Sequence, residues 1–218
     1  MIDMLMYISN GLIVFGFIGY LLLILINKNK KITDSDGFNI TKDILHEYDS
    51  INIIETKSLF TVYNIKRKVI KISSFCYYGK CTSDIAIPLI ESGISVVDNN
   101  KNKFIKMVRS VISNLKILYI LPIIALLINS VTFQITDARI GIMLLATFLL
   151  INYVLIGIKT TAVAWVNDNI KKVKSIKKEN IIFINKFLNM VLLCDKFIFF
   201  GEIVMIIRFV AILLEFNF

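Results

Sequence analysis

Residues 5–26 (LMYISNGLIVFGFIGYLLLILI) are apolar apart from Ser9 and Asn10. At about 1.5 Å per residue, a helix of that run crosses a bilayer. Three further apolar runs fall near residues 115–132, 140–158 and 197–214. The short connection from Thr132 to Arg139 makes the middle two a helical hairpin. Residues 28–110 are instead mixed. Gly37 to Tyr48 reads as an amphipathic helix with Ile40, Ile44 and Leu45 on one side. Ile51–Thr56 and Leu59–Tyr63 read as strands, Asn64–Lys68 as a turn, and Val69, Ile70 and Ile72 as a return strand. Thr82 is placed to N-cap a helix running to about Val97. Within it Ala86, Ile90, Gly93, Ile94 and Val97 recur at helical spacing, the mark of a buried face.

The pattern predicts an α-helical membrane protein with four transmembrane helices and a small α+β domain. Its segments are a membrane anchor (1–27), the α+β domain (28–111), a transmembrane hairpin (112–158), a basic helical segment (159–193) and a C-terminal transmembrane helix (194–218). There is no internal repeat and no low-complexity linker.

Composition agrees. Of 218 residues 56% are hydrophobic, and mean hydropathy is +0.74. A water-soluble domain this apolar would expose large adhesive patches, which a bilayer absorbs. The net charge of +9 sits mainly in residues 28–110 and 159–190, including Lys171, Lys172, Lys174, Lys177, Lys178 and Lys186. By the positive-inside rule both segments are cytoplasmic, beside anionic lipid headgroups. The N-terminus, the Thr132–Arg139 loop and the C-terminus then lie outside, with Arg139 as their basic residue. Asp3 at the start and Lys28, Lys30 and Lys31 after the first span fit an uncleaved anchor rather than a signal peptide. No basic-aromatic motif accompanies the charge, so nucleic acid is not expected as a partner.

The polar candidates for chemistry are few. Cys76, Cys81 and Cys194 form no paired framework and no zinc signature, and read as reduced thiols. His46 is the single histidine, and a catalytic zinc site usually takes two or three. It reads as a surface helix residue. Arg208 lies in the last apolar run with Glu202 and Glu215 on either side. It either snorkels toward headgroups or meets a partner inside the membrane. Trp165 either marks the membrane interface or packs on the soluble domain.

Residues 59–95 carry a resemblance. Leu59–Ser73 reads LFTVYNIKRKVIKIS, and Cys76–Cys81 reads CYYGKC. Pro88–Ser95 reads PLIESGIS, and Gly37, Ile44 and Leu45 stand upstream. In this order and spacing the chain resembles the YugP-type family of neutral zinc metallopeptidases of bacterial membranes. Its pattern L-T-D-H-Y-D-P-x-x-K-x-V-R-L-S is matched at Tyr63, Lys68 and Ser73. V-Y-N-G-T-S is matched at Tyr77 and Gly79, and G-x-x-x-A-x-x-I-L at Gly37, Ile44 and Leu45. The order of spans is the family's as well. The resemblance implies a zincin-like cytoplasmic domain in a multi-pass protein of the bacterial cell membrane, N-terminus outside. It also implies a zinc ion on an H-E-x-G-H helix.

Against that helix, A-A-H-E-V-G-H-A, this chain keeps Glu91 and Gly93 but carries Ile90 and Ile94 for the two histidines. Two imidazoles four residues apart share a metal, and the glutamate activates the water bound to it. Isoleucine has no lone pair to give. The family's third ligand, the glutamate of L-P-V-E-F-D-A-S, falls on Lys159 within LIGIKTTAV, with Thr161 for the aspartate. An ammonium repels a divalent cation. Pro88 adds a helix-breaking residue. The zinc cofactor expected for the family is therefore not expected here, and Glu91 reads as a surface or capping residue. The expected function is that of a pseudopeptidase that binds a protein partner in or at the membrane, such as an active paralogue. One alternative is an active peptidase with unusual ligands drawn from Asp84, Glu91, His46, Cys76 and Cys81. Another is a channel or transporter subunit, against which the spans lack matched polar positions or Gly/Pro breaks.

Overall fold

A computed structural model of the chain describes residues 2–28, 31–48, 50–99 and 135–216. The described residues are mostly helical, with one small sheet. In chain order the elements are α1 (Ile2–Asn27), α2 (Gly37–Ile44), β1 (Asn52–Thr56), β2 (Val62–Asn64), β3 (Val69–Ser73), α3 (Ser74–Tyr78), α4 (Thr82–Asn99), α5 (Ile135–Asn169) and α6 (Lys178–Phe216). Among the described residues, two segments are long and apolar enough to cross a membrane, Ile2–Asn27 and Leu149–Lys172. The expected span at 115–132 lies outside the described residues. The expected loop ending at Arg139 is helical from Ile135 onward. Neither Gly141 nor Gly157 breaks α5, which runs past residue 158 to Asn169. α6 is likewise continuous through residues 193 and 194.

Contacts divide the chain into two compact units. One comprises Met1–Tyr20, Lys116–Ile156 and Leu193–Phe218; the other comprises Leu21–Leu115 and Gly157–Leu192.

In the first unit α1 and the end of α6 lie close and antiparallel. A Cβ on Gly16 would stand 2.7 Å from the Cys194 carbonyl oxygen, and one on Gly201 would stand 2.9 Å from that of Ser9. Moving up α1 from Ser9 to Gly16 thus moves down α6 from Gly201 to Cys194. Glycine permits this approach, as small residues do where helices meet in lipid. Phe15 and Phe197 close the seam edge to face, with ring centroids 5.1 Å apart. The outward side chains include Phe15, Ile18, Leu150, Phe200, Ile207 and Leu214, while Ser9, Glu202 and Arg208 are buried. Large apolar groups on the outside together with a buried Glu202 and Arg208 depart from the pattern of a water-soluble domain, although Ile13, Met205 and Phe209 are buried as well.

The second unit holds the sheet, ordered β1-β3-β2. β2 and β3 form the expected hairpin, with Tyr63 opposite Ile70. Its turn is fixed by the Asn64 side chain, whose Oδ1 accepts from the Arg67 N–H at 3.1 Å, and by Lys68 at φ 50°. β1 lies on the far side of β3 and parallel to it, Ile53 opposite Ile70. Tyr63, Ile70 and Ile72 are buried, and α4 packs against β2 and β3.

Three local expectations are corrected. β2 starts at Val62 rather than Leu59, because Thr56 Oγ1 and Ser58 Oγ accept the backbone N–H groups of Ser58 and Phe60. These side-chain turns draw the backbone away from a ladder. α2 ends at Ile44 rather than Tyr48, where Leu45 leaves helical geometry and the Tyr48 N–H closes a turn on its carbonyl at 2.8 Å. Thr82 is the first helical residue of α4 rather than its cap, and its hydroxyl is buried with no hydrogen-bond partner. The five-residue α3 is unanticipated: it is too short to show a period.

Candidate functional site

α4 is the element on which the resemblance would set the chemistry. Its apolar stripe is real: Ala86, Ile90, Gly93, Ile94 and Val97 are all buried. The helix continues through Pro88, which has no N–H for the Asp84 carbonyl. α2 approaches at that carbonyl: a Cβ on Gly37 would stand 3.0 Å from it and 2.1 Å from the Cys76 carbonyl oxygen. Only glycine fits there.

Ile90 and Ile94 are 5% and 7% exposed, core side chains without a ligand atom. Gly93 between them abuts α5, where a Cβ would lie 2.5 Å from the Ala162 carbonyl oxygen. Lys159 sits on α5 one turn before Ala162 and Val163, partly exposed. α4 and this stretch of α5 therefore pack backbone to backbone. Glu91 is partly exposed and turns toward the sheet, where its Oε2 accepts the backbone N–H of Tyr63 at 2.8 Å. β2 is an edge strand, so this N–H faces away from β3. The carboxylate satisfies it and fastens α4 to the sheet edge.

The other candidates do not gather round Glu91. His46 is exposed beyond the end of α2, its Nδ1 2.9 Å from the Asp43 carbonyl oxygen and its Nε2 3.6 Å from Glu47. Cys76 is buried in α3, and burial pushes its thiol up from the ordinary range. Asp84 is half-buried in the first turn of α4, and burial pushes its carboxyl up. Burial, then the neighbouring Asp84 carboxylate, push up the Cys81 thiol. Both shifts disfavour the thiolate, the form that ligates and attacks. Among the described residues no three His, Cys, Asp or Glu side chains are grouped to hold a metal ion. The positions that the resemblance assigns to zinc do not fit zinc.

The basic segment meets the α+β fold directly. Thr33 Oγ1 donates to the Ser175 carbonyl at 3.1 Å, Ser175 Oγ pairs with Asp43 Oδ2 at 3.3 Å, and Asn180 donates to the Ile32 carbonyl. Trp165 packs edge to face on Tyr48 at 6.0 Å, so it belongs to this unit's packing.

In the first unit the structure brings together a pair that the sequence did not single out. Asn152 Nδ2 lies 2.7 and 2.9 Å from the two carboxyl oxygens of Glu202, which is 2% exposed. The available signal was Asn152 itself, an amide inside an apolar run. Arg208 is also buried, 7% exposed, with Asp3 of α1 as its electrostatic neighbour, and does not reach outward.

Comparison with family models, curated proteins and solved structures finds no match.

Proposed function

We propose that the chain is a multi-pass membrane protein whose cytoplasmic α+β domain descends from a zinc metallopeptidase and acts without hydrolysis, by binding another protein. The observation that carries this reading is the state of α4. Ile90 and Ile94 are committed to the core, and Glu91 is committed to the Tyr63 N–H. In the zinc peptidase mechanism the glutamate acts on a metal-bound water, whose pKa the metal lowers from about 15.7. The neighbourhood offers hydrophobic packing instead. The short edge strand beside a helix that holds Glu91 supports the zincin-like description of the domain.

The membrane part of the reading is a bundle of four spans. Its support is the large apolar side chains on the outside of the first unit, the buried Glu202 and Arg208, and the two long apolar segments. The hydrogen bonds joining Ile32 and Thr33 to Ser175 and Asn180 support one common side for residues 28–111 and 159–193. The positive-inside rule applied to their lysines supports reading that side as the cytoplasm, in keeping with the bacterial membrane family that the sequence resembles. The partner is a membrane protein or an active paralogue.

The test is peptide cleavage by the purified protein. Cleavage is expected to stay at background with or without added zinc. Zinc-dependent cleavage that disappears in Glu91→Gln would overturn the proposal and favour an active enzyme with unusual ligands.

A further inference from the structure

Glu202 is a buried acid on a helix whose exposed neighbours are Phe200 and Ile207. An isolated carboxylate in an apolar medium loses far more solvation than one amide returns. Among the described residues its hydrogen-bond partner is the Asn152 amide, supplied by α5. Among the described residues, the packed elements offer no counter-charge at this level. On α1, which meets α6 here, Ser9 and Ile13 face Gly201, and the acid, Asp3, lies further along beside Arg208. On α6, Arg208 is six residues away, about 240° round the helix; Asp195 and Lys196 lie about two turns the other way. On α5 the neighbour is Tyr153, whose ring packs on Phe199.

We infer that Glu202 and Asn152 form an intramembrane proton-binding site, with the proton as ligand and the carboxyl neutral in its resting state. This rests on the reading of α6 as a membrane-crossing helix. Proton uptake converts the carboxylate to a carboxylic acid, whose carbonyl oxygen still accepts from the Asn152 amide nitrogen. Buried acids within membrane helices commonly lie on ion or proton paths. Asn152 is a positioning residue: its amide holds the carboxyl against α5.

The experiment uses the full chain in liposomes, treated with the lipid-soluble reagent dicyclohexylcarbodiimide. This reagent adds only to a protonated carboxyl: the acid proton moves to a reagent nitrogen and the carboxyl oxygen bonds to the central carbon. Labelled peptides are read by mass spectrometry, with Glu202→Gln locating the modification. The expected result is labelling of Glu202 at about pH 6 that declines roughly tenfold per pH unit above its midpoint. A water-soluble carbodiimide is expected to label the exposed Glu215 and leave Glu202 untouched. No labelling of Glu202 at any pH overturns the inference, as does labelling that never declines with rising pH, the mark of a fixed structural acid. Protection by sodium ions at constant pH overturns it in favour of a monovalent cation site. Labelling of Glu202 by the water-soluble reagent shows a water-facing carboxyl and overturns the membrane reading itself.

Discussion

The carboxylate of Glu91 on α4 accepts the backbone N–H of Tyr63 on β2 at 2.8 Å, across 28 positions of sequence. A hydrogen bond to a charged acceptor contributes about 1.5–3 kcal/mol net, and an orphaned edge N–H adds its own penalty when partly buried. Glu91→Ala is therefore expected to destabilise the α+β unit by about 1–3 kcal/mol, and Glu91→Gln by less, since its amide oxygen still accepts. Trp165, the single tryptophan, packs on Tyr48 in that unit and reports unfolding by its fluorescence in detergent. Equal stability of Glu91→Ala and the parent would show that the bond is incidental.

Gly93 sets the distance between α4 and α5. Its neighbour is backbone, the Ala162 carbonyl oxygen, 2.5 Å from a Cβ. Backbone cannot rotate away as a side chain can. Gly93→Ala gains helix propensity of about 1 kcal/mol but must push the helices apart, at a cost of about 1–3 kcal/mol. The expected balance is a loss, seen as a lower unfolding midpoint. By contrast Gly11 and Gly157 have open space where a Cβ would go, and Ala at either is expected to be neutral or stabilising.

Cys81 and Asp84 give a prediction in pH. Burial first, then the Asp84 carboxylate, hold the Cys81 thiol above its ordinary range. Alkylation needs the thiolate. In Asp84→Asn the carboxylate is gone, the thiol titrates at lower pH, and alkylation at mildly alkaline pH is expected to quicken measurably. Mass spectrometry of Cys81 peptides reads the rate. For Asp84 itself the folded carboxyl is raised above its unfolded value of 3.8, so the folded state holds its proton more tightly. That contribution to stability is full below pH 3.8 and is lost as pH rises through the folded value. Asp84→Asn is then expected to gain stability relative to the parent near neutral pH and to lose that advantage in acid.

The proposed topology puts residues 28–111 and 159–193 on one side, which the contacts of Thr33 with Ser175 and of Asn180 with Ile32 support. Single-cysteine reporters at Ser35 and Lys174, in a background lacking the native cysteines, are expected to react with a membrane-impermeant maleimide from the same side of sealed vesicles. Labelling of one in right-side-out vesicles and of the other only in inverted ones would break the shared-side assignment.

The sequence made some of this legible and hid the rest for physical reasons. The face of α4 could be read because Ala86, Ile90, Gly93, Ile94 and Val97 keep one helical period over three turns. The β2–β3 hairpin could be read because its partners are close in sequence. The parallel pairing of β1 with β3 could not, since no local signal separates a neighbour on one side of a strand from one on the other. α2 ran short because Leu45 turns inward while the residues after it remain compatible with a helix. The Glu91 bond was invisible because its donor is backbone, which no residue type announces. Asn152 and Glu202 are 50 positions apart. Each is visible as a polar interruption of an apolar run, but their meeting depends on how α5 and α6 pack.

The most direct test of the central claim is the zinc content of the purified protein by elemental analysis, beside a variant carrying Ile90→His, Ile94→His and Lys159→Glu. The account predicts less than about a tenth of an equivalent in the parent and a gain toward one equivalent in the variant, which regains a two-histidine, one-carboxylate set. Near one equivalent in the parent would contradict the loss of the metal site. No gain in the variant would contradict the placement of the family's ligands on residues 90, 94 and 159.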